Sequence, residues 1–457
     1  MSNKNERENF GSRFAVIMAM AGAAIGLGNI WRFPYMVGEH GGSAFVIMYV
    51  LATLFISLPI FFAEVAIGRR SRTSAYGAMA KLAPKSKFWK IASFLPVLIP
   101  IVIDSYYCVV GGWSLEYLIK SCEMVFVNTS PEATKDIFGA FISQTWSPLI
   151  MAAIFLALTG LVIAGGVRSG IEKFSTYAMP ALFVLILVIM FYSMSLPGSM
   201  DGLKYLATPD FSQLTPRSFA YALGQSFFSL SLGMGAIITY GSYVKKDEDI
   251  VASGVGSAIS DLVFAVLAGF AIMPAVFAAG VEPGAGPGLI FQSIPFVFSK
   301  MAVTMPVFSA IVSILFFLTV VVAALTSAMC MYEVVVAYLL EQFGIRRPVG
   351  SIITFCVIGF LGIFSSLSFG LLGDVQIFGM GIFDCFDWVS SNILLIISGF
   401  LSVLFAGWVL KEDELRDELT NGGTIASNVR LFKAIRFLMR WVCPIAVVLI
   451  FFTNFIL

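Results

Sequence analysis

Uncharged, apolar runs recur along the whole of this chain, separated by short polar connections. A helix needs ~20 apolar residues to cross a bilayer. Runs of that order occupy 14–31, 40–63, 137–167, 174–200, 218–244, 262–281, 301–332, 348–373 and 388–410. Two more lie around 91–119 and 441–457, which makes eleven predicted spans. Two runs carry poor helix material at their centres. The first contains Gly26-Leu27-Gly28-Asn29, and the sixth contains "SLSLGMG" at 229–235. Unsatisfied backbone groups in hydrocarbon cost several kcal/mol each, so unwinding is tolerated only around a protein-lined cavity. Glycines in one helix could equally serve close packing. Two interruptions five spans apart, each beside polar residues, favour a five-plus-five inverted repeat with a site at the repeat interface.

The expected fold is therefore an all-α integral membrane protein with discontinuous first and sixth helices and about eleven transmembrane helices. Its expected parts are a cytoplasmic tail (1–13), a first repeat (14–199), a second repeat (218–410), a cytoplasmic loop (411–434) and an eleventh span (435–457).

Composition agrees with this pattern. The chain is 59% hydrophobic and 12% charged, with mean hydropathy +0.93; soluble domains carry about 25% charged residues. Net charge is +1 and no basic block exists, which argues against nucleic acid as a partner. Six scattered cysteines and one histidine, His40, offer neither a metal-ligand spacing nor a catalytic cluster, so an enzyme is not expected. The first apolar run continues past its small residues, unlike a cleaved leader. With the N-terminus in the cytoplasm, 22 of the 28 Lys and Arg residues fall on the inner side and five on the outer side. That asymmetry is the positive-inside signature of a plasma-membrane protein, the inner membrane in a bacterium.

Charges within spans are rare and informative. They are Arg32, Glu64, Asp104, Asp261, Glu333, Asp384 and Asp387. For Glu64 and Asp384, a side chain that reaches the interface and a buried functional group are equally open readings. Asp261 does not fit the first, because a long apolar run follows it. An unwound first span would free N–H groups at Leu27 and Gly28, which suit a carboxylate beside a helix N-terminus. Its released carbonyls, with the Asn29 amide, suit a small hard cation such as Na⁺.

These residues resemble the neurotransmitter:sodium symporters, in particular their bacterial amino-acid members. The resemblance is carried by "GLGNIWRFP" at 26–34, Gly41-Gly42, "SFFSLSLGMG" at 226–235, "ITYGSY" at 238–243 and "ALTS" at 324–327. It covers the first ten spans. Members often have a twelfth span, and the reading here stops at eleven, leaving room for a homodimer without specifying one.

The resemblance implies sodium-coupled symport of an amino acid by alternating access. The substrate carboxylate would meet the Leu27 and Gly28 amides and the Tyr107 hydroxyl. The side-chain pocket would be Ala23, Ile103, Phe227, Phe228, Ser231, Met234 and Met331, with Ser229 and Ser327 at its polar edge. One sodium would take the Ala24 carbonyl, Asn29, Ser229 and Asp261. A second would take the Gly22, Ile25 and Ala323 carbonyls with Thr326 and Ser327. Arg32 and Asp387, with Gln225, would form an outer gate under an aromatic lid of Tyr107 and Phe228. Arg7 and Glu341 would form an inner gate, although Asp is more usual at the second position and Glu341 could equally be a solvated helix end.

Gly26, where monoamine carriers of the family hold an Asp, implies an α-amino acid. Ala23 and the adaptable Met234 favour large hydrophobic or aromatic ones. Asp261 stands where many relatives have Asn. An anion supplied by the protein can offset the positive load, so chloride is not expected to be needed. A carboxylate there could also take up a proton once sodium leaves. Asp104 departs from the family pattern, and the resemblance gives it no role. A transporter-fold sensor or channel without concentrative uptake is the alternative reading.

Overall fold

A computed structural model describes residues 9–280, 282–283 and 288–456. Among these, nine helices are long and apolar enough to cross a membrane by length and composition. They run Ser43–Ser71, Lys87–Cys122, Trp146–Ala164, Ser169–Met194, Ile250–Ala279, Pro306–Phe343, Arg347–Leu367, Ile382–Val409 and Ala426–Phe452. A tenth span is bent by 45° between Arg13–Ala24 and Gly28–Glu39. The sixth predicted span is likewise in two pieces, Pro216–Ser229 and Ala236–Gly241. Eleven spans with the first and sixth discontinuous is the architecture expected from the apolar pattern.

Three boundaries differ from the apolar runs. The fourth run, 137–167, divides into a separate helix Pro131–Ile142 and the span Trp146–Ala164. Ser130 caps the short helix and Pro131 opens it, a start signal that hydropathy ignores. The seventh span begins at Ile250, capped by Asp249 on the Val251 and Ala252 amides, so Asp261 sits inside it. The last helix begins at Ala426, ahead of its apolar stretch.

Exposed apolar residues lie at helical spacing on the outer faces. Ile150, Ile154, Leu158 and Leu161 do so on the fourth span, and Val184, Leu187, Val188 and Phe191 on the fifth. These stripes suit a lipid solvent. The interior keeps the two broken helices, with 13–39 and 216–241 packed against the second, fifth, seventh, eighth, tenth and eleventh spans. At the end holding the terminus of the second span, buried Arg69 pairs with Glu418 of the helix Glu412–Thr420 at 2.6 Å and donates to the Glu248 carbonyl at 2.6 Å. At the opposite end, Trp113 packs against Phe138, Phe291, Phe369 and Phe383.

Candidate functional site

The first helix stops at Ala24 because Ile25 turns extended (ψ 102°). The chain resumes as a wide turn over Gly28–Arg32. Within the gap, the Gly26 N–H is taken by Asn29 Oδ1 at 3.2 Å and the Leu27 N–H by the Tyr107 hydroxyl at 3.1 Å. Gly26 is required here: a Cβ would lie 1.9 Å from Ser327 Oγ and 2.9 Å from the Tyr107 hydroxyl.

The sixth span unwinds between Ser229 and Ala236. Ser231 is left-handed at φ +54° and Gly233 at φ +76°. A Cβ on Gly233 would sit 2.5 Å from the Leu395 carbonyl. The freed Gly233 N–H is satisfied by Glu64 Oε1 at 2.9 Å, an oxygen that Ser402 also reaches at 3.1 Å. Glu64 is thus fully buried support for the break, and not a side chain reaching the interface. Apolar context alone does not distinguish the two roles.

A polar cluster joins the breaks. Asp261 Oδ1 accepts from Asn29 Nδ2 at 2.7 Å and from Ser229 Oγ at 2.7 Å. Its Oδ2 accepts from the Tyr49 hydroxyl at 2.9 Å. All four side chains are fully or almost fully buried. Asn29, Ser229 and Asp261 therefore meet at one point. Tyr49 was missed, because one tyrosine in an apolar span is indistinguishable from core packing.

A second cluster lies on the eighth span. Thr326 Oγ1 is 2.8 Å from the Ala323 carbonyl and 3.3 Å from that of Ile25. Gly22 adjoins it, since a Cβ there would be 3.5 Å from Thr326 Cβ. Ser327 instead faces the Ala23 carbonyl at 3.3 Å, which Ser231 Oγ also reaches at 2.7 Å. Both clusters consist of carbonyls, hydroxyls, one amide and one carboxylate. Hard cations prefer such oxygen sets. With the amide as oriented, Asn29 Oδ1 faces Gly26, so ligation through that oxygen requires the side chain to turn.

Between the clusters lies a tightly closed cavity of about 10 Å³. Ala23, Ala24, Gly28, Tyr107, Phe228, Ser231, Met234, Ser327 and Met331 line it. Ile103, Leu27, Phe227 and Ser229 are buried but outside that lining. Phe227 is turned onto the tenth span, where a Cβ on Gly399 would meet its ring at 2.2 Å.

Above the cavity, Arg32 Nη1 donates to Gln225 Oε1 at 2.7 Å, and Gln225 Nε2 donates to the Gly28 carbonyl at 2.9 Å. Arg32 Nε lies 3.6 Å from Asp387 Oδ1, and the guanidinium sits 5.1 Å from the Phe228 ring centre. Asp387 also accepts from Tyr106 at 3.0 Å and Ser391 at 3.1 Å. At the other end, both Glu341 oxygens accept the Ser74 N–H, at 2.9 and 2.8 Å. Arg7 lies outside the described residues.

Asp104 is fully buried, and neither carboxyl oxygen has a hydrogen-bond partner.

Three comparisons bear on this arrangement. The model of the sodium:neurotransmitter symporter family matches residues 7–136 and 136–457. A Haemophilus influenzae protein named as an uncharacterized sodium-dependent transporter is 36% identical over 465 residues, covering 99% of both chains. Bacillus subtilis YhdH, similarly named, is 37% identical over 440 residues, covering 96% of both. The crystal structure of MhsT in complex with L-phenylalanine matches at a TM-score of 0.92 and 40% identity, covering 98% of this chain and 100% of that one.

Proposed function

This chain belongs to the sodium:neurotransmitter symporter family, and from that premise we propose that it is a sodium-coupled symporter of hydrophobic and aromatic L-amino acids. The reading includes two sodium ions, no requirement for chloride, a multi-pass plasma-membrane location and a cytoplasmic N-terminus. The observation that carries it is the meeting of Asn29, Ser229 and Asp261 at the junction of the two broken helices, beside a mostly apolar cavity. The likeness to MhsT, solved with L-phenylalanine, supports the substrate class.

The mechanism follows from how the site satisfies itself. Tyr107 accepts the Leu27 N–H, and Asn29 and Ser229 both donate to Asp261. A substrate carboxylate takes over the Leu27 amide and accepts a hydrogen bond from the Tyr107 hydroxyl. A cation beside Asp261 turns Asn29 so that its amide oxygen replaces its nitrogen. Each ligand thus replaces an internal partner, which keeps buried polar groups paired throughout. Ala23, Met234, Phe228 and Met331 take the side chain. Met is adaptable in shape and so suits both aliphatic and aromatic groups.

Arg32, Gln225 and Phe228 close the cavity from one side. Opening must break the Arg32–Asp387 approach and withdraw Phe228, while the Glu341–Ser74 end works as the opposite closure together with Arg7. Alternation between the two gives access from one side at a time.

The experiment is uptake of labelled L-phenylalanine by proteoliposomes. An inward Na⁺ gradient is expected to drive accumulation, and K⁺ is expected to leave only passive entry. Na⁺-dependent binding without accumulation would reject symport and establish a sensor or channel. Binding confined to glycine, a monoamine or a dicarboxylate would reject the substrate class.

A further inference from the structure

Asp104 is a buried carboxylate near the cavity that neither sodium cluster nor gate uses and, unlike Glu64 and Glu333, it has no hydrogen-bond partner among the described residues. It lies in the middle of the third span with both oxygens buried and unpartnered. Among the described residues no salt bridge reaches it and no hydrogen-bond donor faces either oxygen. The titratable groups within electrostatic range are Tyr107 and Cys108 on its own helix, and Cys330 and Tyr332 on the eighth span. None of these supplies a positive charge at neutral pH. An ionised carboxylate with no donor and no cation is not sustained in such a place, and the group neutralises by holding a proton.

Its position links that proton to the cavity. Tyr107, one helical turn further on, lines the cavity and holds the Leu27 amide. Cys330 Sγ is 3.9 Å from the hydroxyl of Ser231, another lining residue. With Tyr107 on the lining and Asp104 one turn before it on the same helix, opening of the cavity would bring water nearer to the carboxyl than the closed form allows. The two conditions differ in what the carboxyl can tolerate.

We propose that Asp104 is a proton-binding site coupled to occlusion, taking up one proton from water when the cavity closes over substrate and returning it when the cavity opens. This rests on the symport reading above. No other bond forms or breaks. Because the closed form binds the proton, lower pH favours closure. One linked proton changes the apparent substrate affinity by up to about tenfold per pH unit.

The test is calorimetric titration of the protein in nanodiscs with L-phenylalanine between pH 6 and 8, at saturating Na⁺ so that the Asp261 cluster is already settled. Two buffers of different ionisation enthalpy count the protons. Wild type is expected to absorb up to one proton per phenylalanine bound, with affinity falling as pH rises. Asp104→Asn, uncharged and of the same shape, is expected to bind phenylalanine with no proton uptake and a flat pH profile. Zero proton uptake by wild type would overturn the proposal, and that count needs no folded variant. So would an Asn variant that keeps wild-type proton uptake. Absence of Na⁺-dependent phenylalanine binding would instead overturn the symport reading, and this inference with it.

Discussion

Replacing Asp261 by Asn removes one negative charge and leaves the shape of the polar cluster almost unchanged. In the native site this carboxylate accepts from Asn29, Ser229 and Tyr49 at 2.7–2.9 Å and is wholly buried. Two unit charges ~4 Å apart at an effective dielectric of ~20 attract by about 4 kcal/mol. At 1.36 kcal/mol per decade, that is a loss of about a thousandfold in sodium affinity as an upper bound. The Asn carbonyl remains an oxygen ligand, so the expected loss is roughly 10- to 1,000-fold within that bound. A small anion drawn into the same cluster would restore part of it. The assay is initial-rate uptake against Na⁺ concentration, in chloride and in gluconate, for wild type and Asp261→Asn. Wild type is expected to be indifferent to the anion, and the variant to work better in chloride. Chloride dependence in wild type, or an Asn variant with unchanged sodium affinity, would refute the charge-balance reasoning.

Thr326→Ala with Ser327→Ala removes two hydroxyls beside Ala23 and Ile25, so Na⁺-driven uptake should be lost with the fold retained; unchanged sodium dependence would mean that these groups only satisfy their own surroundings. Asp387→Asn should slow transport at least tenfold while costing under about 2 kcal/mol of stability, because Arg32 keeps Gln225 and Asp387 is 16% exposed; a thermal-denaturation loss of several kcal/mol would make the pair a scaffold element. Tyr49→Phe deletes one donor to the Asp261 carboxylate, a bond of about 1.5–3 kcal/mol, and should shift the sodium dependence of uptake by tenfold or more; a wild-type curve would show that Tyr49 is packing alone.

The breaks were legible because Gly26-x-Gly28 and Ser229–Gly235 are weak helix material where only strong helix formers belong in lipid. Their polar neighbours pointed to the site by themselves. Asn29, Ser229 and Asp261 converge on three spans, and no periodicity within a single span could bring them together; the resemblance supplied that. Phe227 illustrates the limit. It neighbours Phe228 in the sixth span, yet the rotation of that half-helix is set by Gly399 on the tenth span, so one ring faces the cavity and the other faces a helix. The helix Pro131–Ile142 was absorbed into a longer apolar run because hydropathy does not register an N-cap. Glu64 stayed open between interface and interior because its partner, a free N–H at Gly233, exists only after the sixth span has unwound.

That last point extends to the other backbone groups freed by the two breaks. An unwound helix in a membrane exposes donors and acceptors that water cannot reach, and each left unpaired would cost several kcal/mol. Here several are matched by side chains, three of them from other spans: Leu27 by Tyr107, Gly233 by Glu64, and Ala23 by Ser231 and Ser327, while Gly26 is matched by Asn29 of its own span. Glu64 does not line the cavity and acts as a splint for the sixth-span break. The other partners line the cavity or neighbour it, so the same groups that satisfy the break are those that ligands would recruit. Binding then exchanges one set of hydrogen bonds for another of similar strength, and the net free energy available to drive closure is small. A small net term is what a carrier requires, because a site that bound its cargo with the full gain of newly satisfied polar groups would release it too slowly to complete a cycle. The left-handed Ser231 at φ +54° fits this economy. Its strain, of order 1–3 kcal/mol, is held by the bond to Ala23, so movement of the first span away from the sixth breaks that bond and frees the segment to relax.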